Sequence, residues 1–272
     1  MHTSLSDGQR SPEEAYRIYR KHGYDFVFRT DHWQVGGVEK AGGLLVLPGC
    51  EYNVGGNVRD GVYHILYLGS DKELPVERTS TAQEIIDAIH TAGGLAGLAH
   101  PAWSLNTPEQ IRALRGIDFT EIYNSVSGYP RNCRPDSSAI VDLMAANGLF
   151  LPLVAGDDTH FYNEYDTCVS FNWVQADSCT PEAILDAMCA GRCIASQGPF
   201  LEAQLDGDTL IVDSTPVEQY IYYTDSVWEE HRIDRGHGLT HSEFHIHGGR
   251  TFVRVEAIDA DGKRAWSQYF KL

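Results

Sequence analysis

The sequence predicts an α/β protein: a mostly parallel sheet, open or closed into a barrel, followed by a small antiparallel β unit. Three observations lead there. From residue 11 to residue 198, short continuous apolar runs alternate with amphipathic, capped helices, the texture of a sheet covered on both faces. From about residue 199, apolar and polar residues alternate instead, with Asp-Gly turns and no helical period. The conspicuous His, Asp and Glu residues of the first part each follow the end of an apolar run, where barrels and open α/β sheets build their sites. The expected division is 1–198 and 199–272, with no low-complexity linker between them.

Each element has a local reason. In SPEEAYRIYRKHG (11–23), Ser11 is an N-cap, Pro12 suits the first turn, and Gly23 closes the helix. YDFVFRTDH (24–32) is a short strand ending in polar residues, GLLVLPGCEYN (43–53) a second ending in an acid, and VYHILYLG (62–69) a third. TAQEIIDAIHTAGG (81–94) is a helix with a glycine stop, and GLAGLAHP (94–101) a strand running into His-Pro. A capped helix at 107–116, a strand at 117–124, a helix at 135–148, a strand at 148–160 and a last helix at 180–191 complete the alternation. In the β unit, GPFLEAQLDGDTLIVD, VEQYIYYTD and RTFVRVEAIDADGKRAWSQYFKL alternate, the last with a turn at DADGK.

Composition narrows the function. The 272 residues include 38 acids against 21 bases, a net charge of −17 with His neutral. A nucleic-acid partner would want a basic face, so none is expected. The same field repels an anionic substrate unless local cations intervene, which favours bound metal if that substrate carries phosphate. Six cysteines without a C-x-x-C pair point to reduced thiols in a cytoplasmic protein, and Cys189 and Cys193 are read as packing at a helix end. The N-terminus is polar, unlike a signal peptide, and the apolar stretch GGLLVLPG is too short to cross a bilayer, so no membrane partner is expected.

In chain order the strand-end residues are His2 and Asp7, Asp31 and His32, Glu51, His64, His100, and Asp158 with His160. Imidazoles and carboxylates at one edge form the donor set of borderline divalent ions such as zinc, manganese and iron. One strand-end His is usually an ordinary loop residue; five of them with three or four acids at the same edge argue for a metal centre. Asp7 in SDG has an Asx turn as its alternative, and Asp31 reads as a cap. Asp157 is read as supporting its neighbour Asp158, and Glu121 as either ligand or support. Arg131 and Arg134 in YPRNCRP are candidates to hold a phosphate bidentately, with plain solvent exposure as the alternative. HRIDRGHGLTHSEFHIH holds His231, His237, His241, His245 and His247; an exposed strand is preferred to a second metal site there. His22 and His90 suit helix C-termini, and no phosphate-loop motif is present.

HTSLSDG, TDH, GCEYN, YHILYLG, LAHPAW and GDDTH, in this order, resemble the PHP family, the polymerase and histidinol phosphatase superfamily. The resemblance spans roughly residues 2–197 and is closest to the carbaryl-hydrolase-like branch, whose C-terminal text is similar to VRVEAIDADGKRAWSQ. It implies a distorted (β/α)7-type barrel and three neighbouring metal positions. His2, Glu51 and Asp158 would serve the first, Asp7, His32 and His160 the second, and Glu51, His64 and His100 the third, with Glu51 bridging. Asp7, His32, Asp158 and His160 would stand nearest the chemistry. The family's first motif has two histidines one residue apart; His2 matches the second, so the first and its strand would precede Met1. A truncated start is the expectation, because a missing barrel strand exposes sheet edges.

The implied function is a hydrolase with two or three divalent ions, most simply a phosphoesterase acting on a small phosphorylated metabolite or nucleotide. The alternatives are a carboxylic ester, carbamate or amide hydrolase on the same metals, and a non-catalytic metal-binding scaffold. The β unit is expected to cover the barrel, bind a ligand or mediate a homodimer.

Overall fold

A computed structural model describes residues 1–162 and 164–272. The first sheet holds β1 (Phe26–Arg29), β2 (Glu39–Ala41), β3 (Leu44–Asn57), β4 (Gly61–Leu68), β5 (Leu95–Leu98), β6 (Phe119–Asn124) and β7 (Leu153–Gly156). They run in the order β1-β3-β4-β5-β6-β7, with β2 on β3, and the sheet curls into a half-barrel. Five helices pack around it or precede its strands: α1 (Pro12–Lys21), α2 (Ala82–Ala92), α3 (Pro108–Ala113), α4 (Ser138–Ala146) and α5 (Pro181–Cys189).

The helix boundaries follow from their caps. Ser11 with Glu14, Thr81 with Glu84, and Thr107 with Gln110 form reciprocal capping boxes that satisfy the first free N–H groups. Gly93 ends α2 in the left-handed conformation, φ 84°. The apolar faces meet the sheet: Ile85, Ile86 and Ile89 of α2 lie among Tyr52, Ile65, Tyr67 and Leu98 in the largest buried cluster.

The mostly parallel expectation is corrected at the centre of the sheet. β1/β3, β5/β6 and β6/β7 are parallel, whereas β2/β3, β3/β4 and β4/β5 are antiparallel. The two runs read as separate α/β strands, β3 and β4, form a hairpin whose last pair is Asn57 with Gly61. Parallel neighbours need a crossover of a dozen residues or more, and three intervening residues permit only a turn.

The second sheet is antiparallel. It contains β8 (Phe171–Val174), β9 (Cys193–Ser196), β10 (Leu201–Asp206), β11 (Thr209–Thr224), β12 (Ile233–His245), β13 (Phe252–Ile258), β14 (Arg264–Trp266) and β15 (Phe270–Lys271). The order is β10-β11-β13-β14-β9-β8, with β12 on β11 and β15 on β13. Thus β8 and β9 flank α5 in the chain yet belong to the sheet of the C-terminal strands.

Side chains tie the two sheets together. The outer edge of β7 has Leu153 and Ala155 backbone groups with no strand paired to them among the described residues. Gln268 accepts from Leu153 N at 2.7 Å and donates to its oxygen at 2.7 Å; Asn172 does the same for Ala155, 2.8 Å each way. Two side-chain amides therefore do the work of a strand edge. Arg254, fully buried on β13, donates through Nε and Nη2 to Asp142 of α4 at 2.7 and 2.6 Å. All six cysteines are free, and no helix among the described residues is long and apolar enough to cross a membrane.

Candidate metal centre

The N-terminal turn is built in, not frayed. The Met1 ammonium donates to Thr30 Oγ1 at 2.9 Å, and Thr30 N returns to Met1 O at 2.9 Å. His2 N donates to Thr159 O at 2.9 Å, just past β7, so residues 1–2 tie the end of β1 to the end of β7. Asp31, buried at the end of β1, accepts from Thr3 N at 2.6 Å, from Thr3 Oγ1 and from Ser6 Oγ at 2.9 Å. Asp31 is thus the cap it was read as, and what it caps is the turn carrying His2 and Asp7. Gly8 is required there, since a Cβ would lie 2.6 Å from the His2 carbonyl.

Other elements deliver the remaining donors. His32 follows β1, and its Nδ1–H donates to Glu51 O at 3.3 Å, leaving Nε2 available. Glu51 lies on β3, buried, with its carboxylate against His2 Nε2 (2.9 Å) and His64 Nδ1 from β4. His100 and Asp158, past β5 and β7, hold left-handed backbone conformations, φ 29° and 51°. Such conformations persist only where packing imposes them, and they concentrate at functional sites. His100 Nε2 faces Glu51 at 3.5 Å and Asp158 at 3.8 Å, while its Nδ1 contacts Ser104 Oγ at 3.1 Å. His160 Nδ1–H donates to Asp158 O at 2.8 Å, which turns Nε2 toward Asp7 at 3.4 Å.

Three sets of donor atoms result, each within 4.8 Å of one another: His2, Asp7, His32 and His160; His32, Glu51 and His64; and His2, Glu51 and Asp158. The implied first set is reproduced. The second gains His2, and in the third His32 stands where His100 was implied.

The donors fit divalent cations. The His2 ring is fully buried between two groups, Nε2 toward Glu51 and Asp158 and Nδ1 toward Asp7, and Nδ1 has no hydrogen-bond partner. A buried orphan donor atom beside a carboxylate is what an ion would complete. The electrostatics agree. Burial opposes charging His2 and His100, yet Asp158 and Glu51 outweigh it and push them up to about 10 and about 9. Burial likewise opposes ionising Glu51, but His100, His2 and His64 hold it well below the carboxylate range. For Asp7, the hydrogen bond to His160 does the same against a weaker burial penalty. The carboxylates demand positive charge here, of the kind a divalent ion supplies.

The other sequence candidates fall outside the three sets. Asp157 braces the following loop, accepting from Tyr19 Oη at 2.8 Å and from the N–H groups of Cys168, Val169 and Ser170 at 2.7–2.9 Å. Glu121 accepts from His100 N and Asn124 Nδ2, both at 2.8 Å, and burial lifts its carboxyl to about 7. Arg131 lies 3.5 Å over the Tyr162 ring, which stacks on His160 at 5.1 Å. Arg134 is exposed, with its backbone N donating to Ser127 O.

Three contributors escaped the sequence reading. Trp103 packs edge-on against His64 and His100, ring centres 5.5 and 4.9 Å away. Asn124 donates to Asp158 at 3.2 Å, and its place at the end of β6 was the same strand-end signal that marked the acids. Tyr162 carried no signal at all. The histidines of β12 pair with acids at exposed positions, His237 with Glu218 and His241 with Asp213 on β11, and His245 with Asp208 in the turn before it.

No family model and no curated protein matches the chain. Among solved structures it is similar to a two-domain protein from Bacteroides vulgatus containing a predicted PHP-like metal-dependent phosphoesterase. There the TM-score is 0.55 at 13% identity, over 100% of this chain and 92% of that one. Weaker likenesses are to a protein from Bifidobacterium adolescentis assigned by prediction as a metal-dependent phosphoesterase (TM-score 0.44, 18% identity, 58% and 85% covered) and to an amidohydrolase from Chromobacterium violaceum with bound sulfate and no metal (0.47, 17%, 60% and 87%). At these identities only architecture is carried over: the chain shares the fold of a two-domain protein that contains a predicted PHP-like phosphoesterase.

Proposed function

We propose that the protein is a metal-dependent hydrolase of PHP type, acting as a phosphoesterase on a small phosphorylated metabolite or nucleotide. One observation carries this: donors from residues as far apart as 2 and 160 converge at one edge of the sheet around an excess of carboxylate charge. Two or three divalent ions held there, zinc, manganese or iron, would polarise the attacked group and make water acidic enough to react near neutral pH.

The chain's own residues set the geometry. Glu51, wedged between His2 and His64, would be shared between positions, while Asp7, His32 and His160 would hold an ion nearest solvent, Asp7 being 52% exposed. Ser104 and the Asp158 carbonyl fix the ring orientations of His100 and His160, so little reorganisation is left for ion binding. Trp103 keeps water from one flank of His64 and His100. The (β/α)7 description and the carbaryl-hydrolase-like branch belong to this reading, as does a reducing cytoplasmic setting suited to six free cysteines.

One observation favours the ester, carbamate or amide alternative. A cavity of about 370 Å³ lined by Phe26, Phe28, Leu66, Phe119 and Met188 also has Glu51 and Asp158 in its wall, and is large enough for an aryl group. The test is direct. Manganese- or zinc-loaded protein is assayed with 4-nitrophenyl phosphate and 4-nitrophenyl acetate, beside chelated protein and His32→Ala. The phosphoesterase reading expects phosphate turnover that falls at least about a hundredfold in both controls. Full activity after chelation would refute it, and metal binding without turnover of either ester would leave the scaffold reading.

A further inference from the structure

We propose that Arg131 grips the anionic group of the substrate from the rim of the metal centre, and that Tyr162 is the positioning residue that holds it there. The inference rests on the hydrolase reading and names what that site selects: a substrate with a phosphate-like anion.

The geometry is a stack of four groups. His2 and His160 stack at 4.2 Å and 15°, His160 and Tyr162 at 5.1 Å and 11°, and the Arg131 guanidinium carbon lies 3.5 Å over the Tyr162 ring. Two steps from the His160 ring therefore reach the cation, no more than about 9 Å away. A metal–oxygen bond of about 2 Å and a charge-assisted hydrogen bond of about 2.8 Å, with one phosphate between them, span such a gap.

The state of Arg131 sets it apart. The chain carries a net charge of −17, and Asp7 and Asp158 stand beside the same stack, yet Arg131 forms no ion pair or hydrogen bond among the described residues. Its central carbon sits 3.5 Å from the Tyr162 ring centre, a separation that fits face-on stacking and leaves the edge bearing five N–H donors unspent. A guanidinium held by its face and open at its edge suits a bidentate anion, and a lysine would not reproduce it. Arg134, three residues on, has no such platform; the inference assigns the role to Arg131 alone.

Inorganic phosphate is titrated calorimetrically into manganese-loaded wild-type protein, Arg131→Met, Tyr162→Leu, Tyr162→Phe and the Arg131→Met/Tyr162→Leu double variant. Arg131→Met is expected to weaken phosphate binding about 10- to 100-fold and Tyr162→Leu about two- to fivefold. Tyr162→Phe, which keeps the ring face, recovers most of the loss. The double variant binds no worse than Arg131→Met, because Tyr162 acts through the arginine. The ratio of kcat/KM for 4-nitrophenyl phosphate over 4-nitrophenyl acetate falls in parallel. Wild-type phosphate affinity in Arg131→Met, additive losses in the double variant, or no phosphate binding by the loaded wild type would each overturn the proposal. Arg131-dependent phosphate binding without hydrolysis of either ester would uphold it while sinking the hydrolase reading.

Discussion

Replacing Asp31 with alanine should cost the protein its metal before it costs the fold. The carboxylate lies outside the three donor sets; it accepts from Thr3 N at 2.6 Å, from Thr3 Oγ1 at 2.9 and 3.0 Å, and from Ser6 Oγ at 2.9 Å. Thr3 and Asp31 are both fully buried, so water cannot readily replace the lost acceptor. Each buried donor left unmet costs about 1–3 kcal/mol, and three donors give about 3–5 kcal/mol after local relaxation. That strain falls on a turn of eight residues that can open without unfolding the sheets. His2 and Asp7 ride on this turn, so a penalty of about 3 kcal/mol on the binding-competent conformation lowers metal affinity about 100-fold. Competition against a chelating dye measures it, with thermal melts as the control for global folding. Asp31→Asn, which keeps one acceptor oxygen, should fall between. Wild-type metal affinity in Asp31→Ala would refute the reasoning, because the turn would then not depend on its anchor.

Gly8→Ala perturbs the same turn from the other side: the added Cβ meets the His2 carbonyl at 2.6 Å, a backbone clash no rotamer relieves, and metal affinity should drop about tenfold in the dye assay. Arg254→Met leaves Asp142 without its cation, while Glu256 keeps Arg264 at 2.8 Å, and should cost about 3 kcal/mol, read as a melting point lower by about 5–10 °C. Adding Asp142→Leu to that variant should restore part of the loss, whereas a silent Arg254→Met would show that the clamp between α4 and β13 is not needed. Chelation should lower the melting point and manganese or zinc should restore it, by about 2.7 kcal/mol of stabilisation at a hundredfold excess over Kd. Melting curves indifferent to every divalent ion would remove the metal centre.

Much of the site was legible because His32, His100 and Asp158 each follow the end of a short apolar strand; Glu51 and His64, read as strand ends too, lie within β3 and β4, because the hairpin carries both strands on past the site. The helices were legible because a cap is written within four residues, as Ser11 with Glu14 shows. The hairpin of β3 and β4 was not, because a buried strand reads as the same apolar run whether its neighbour is parallel or antiparallel. Nor was the recruitment of β8 and β9 into the C-terminal sheet, or the capping of β7 by Asn172 and Gln268, since those pairings join residues far apart in the chain.

The sequence by itself determined the element types, the switch from mixed α/β texture to antiparallel strands, and the identity of the donors gathered at the candidate centre. Those properties reside in side-chain chemistry and in periods of a few residues. Only the tertiary structure decided which donors meet: that His2 lies between two groups, that His32 comes to Glu51 and His64 beside His100, and that Asp157 and Glu121 accept backbone N–H groups of the surrounding loops. It also laid Arg131 on Tyr162. Contacts of this kind are set by strand register and by loop conformations such as the left-handed His100 and Asp158, and packing between distant segments imposes these against local preference.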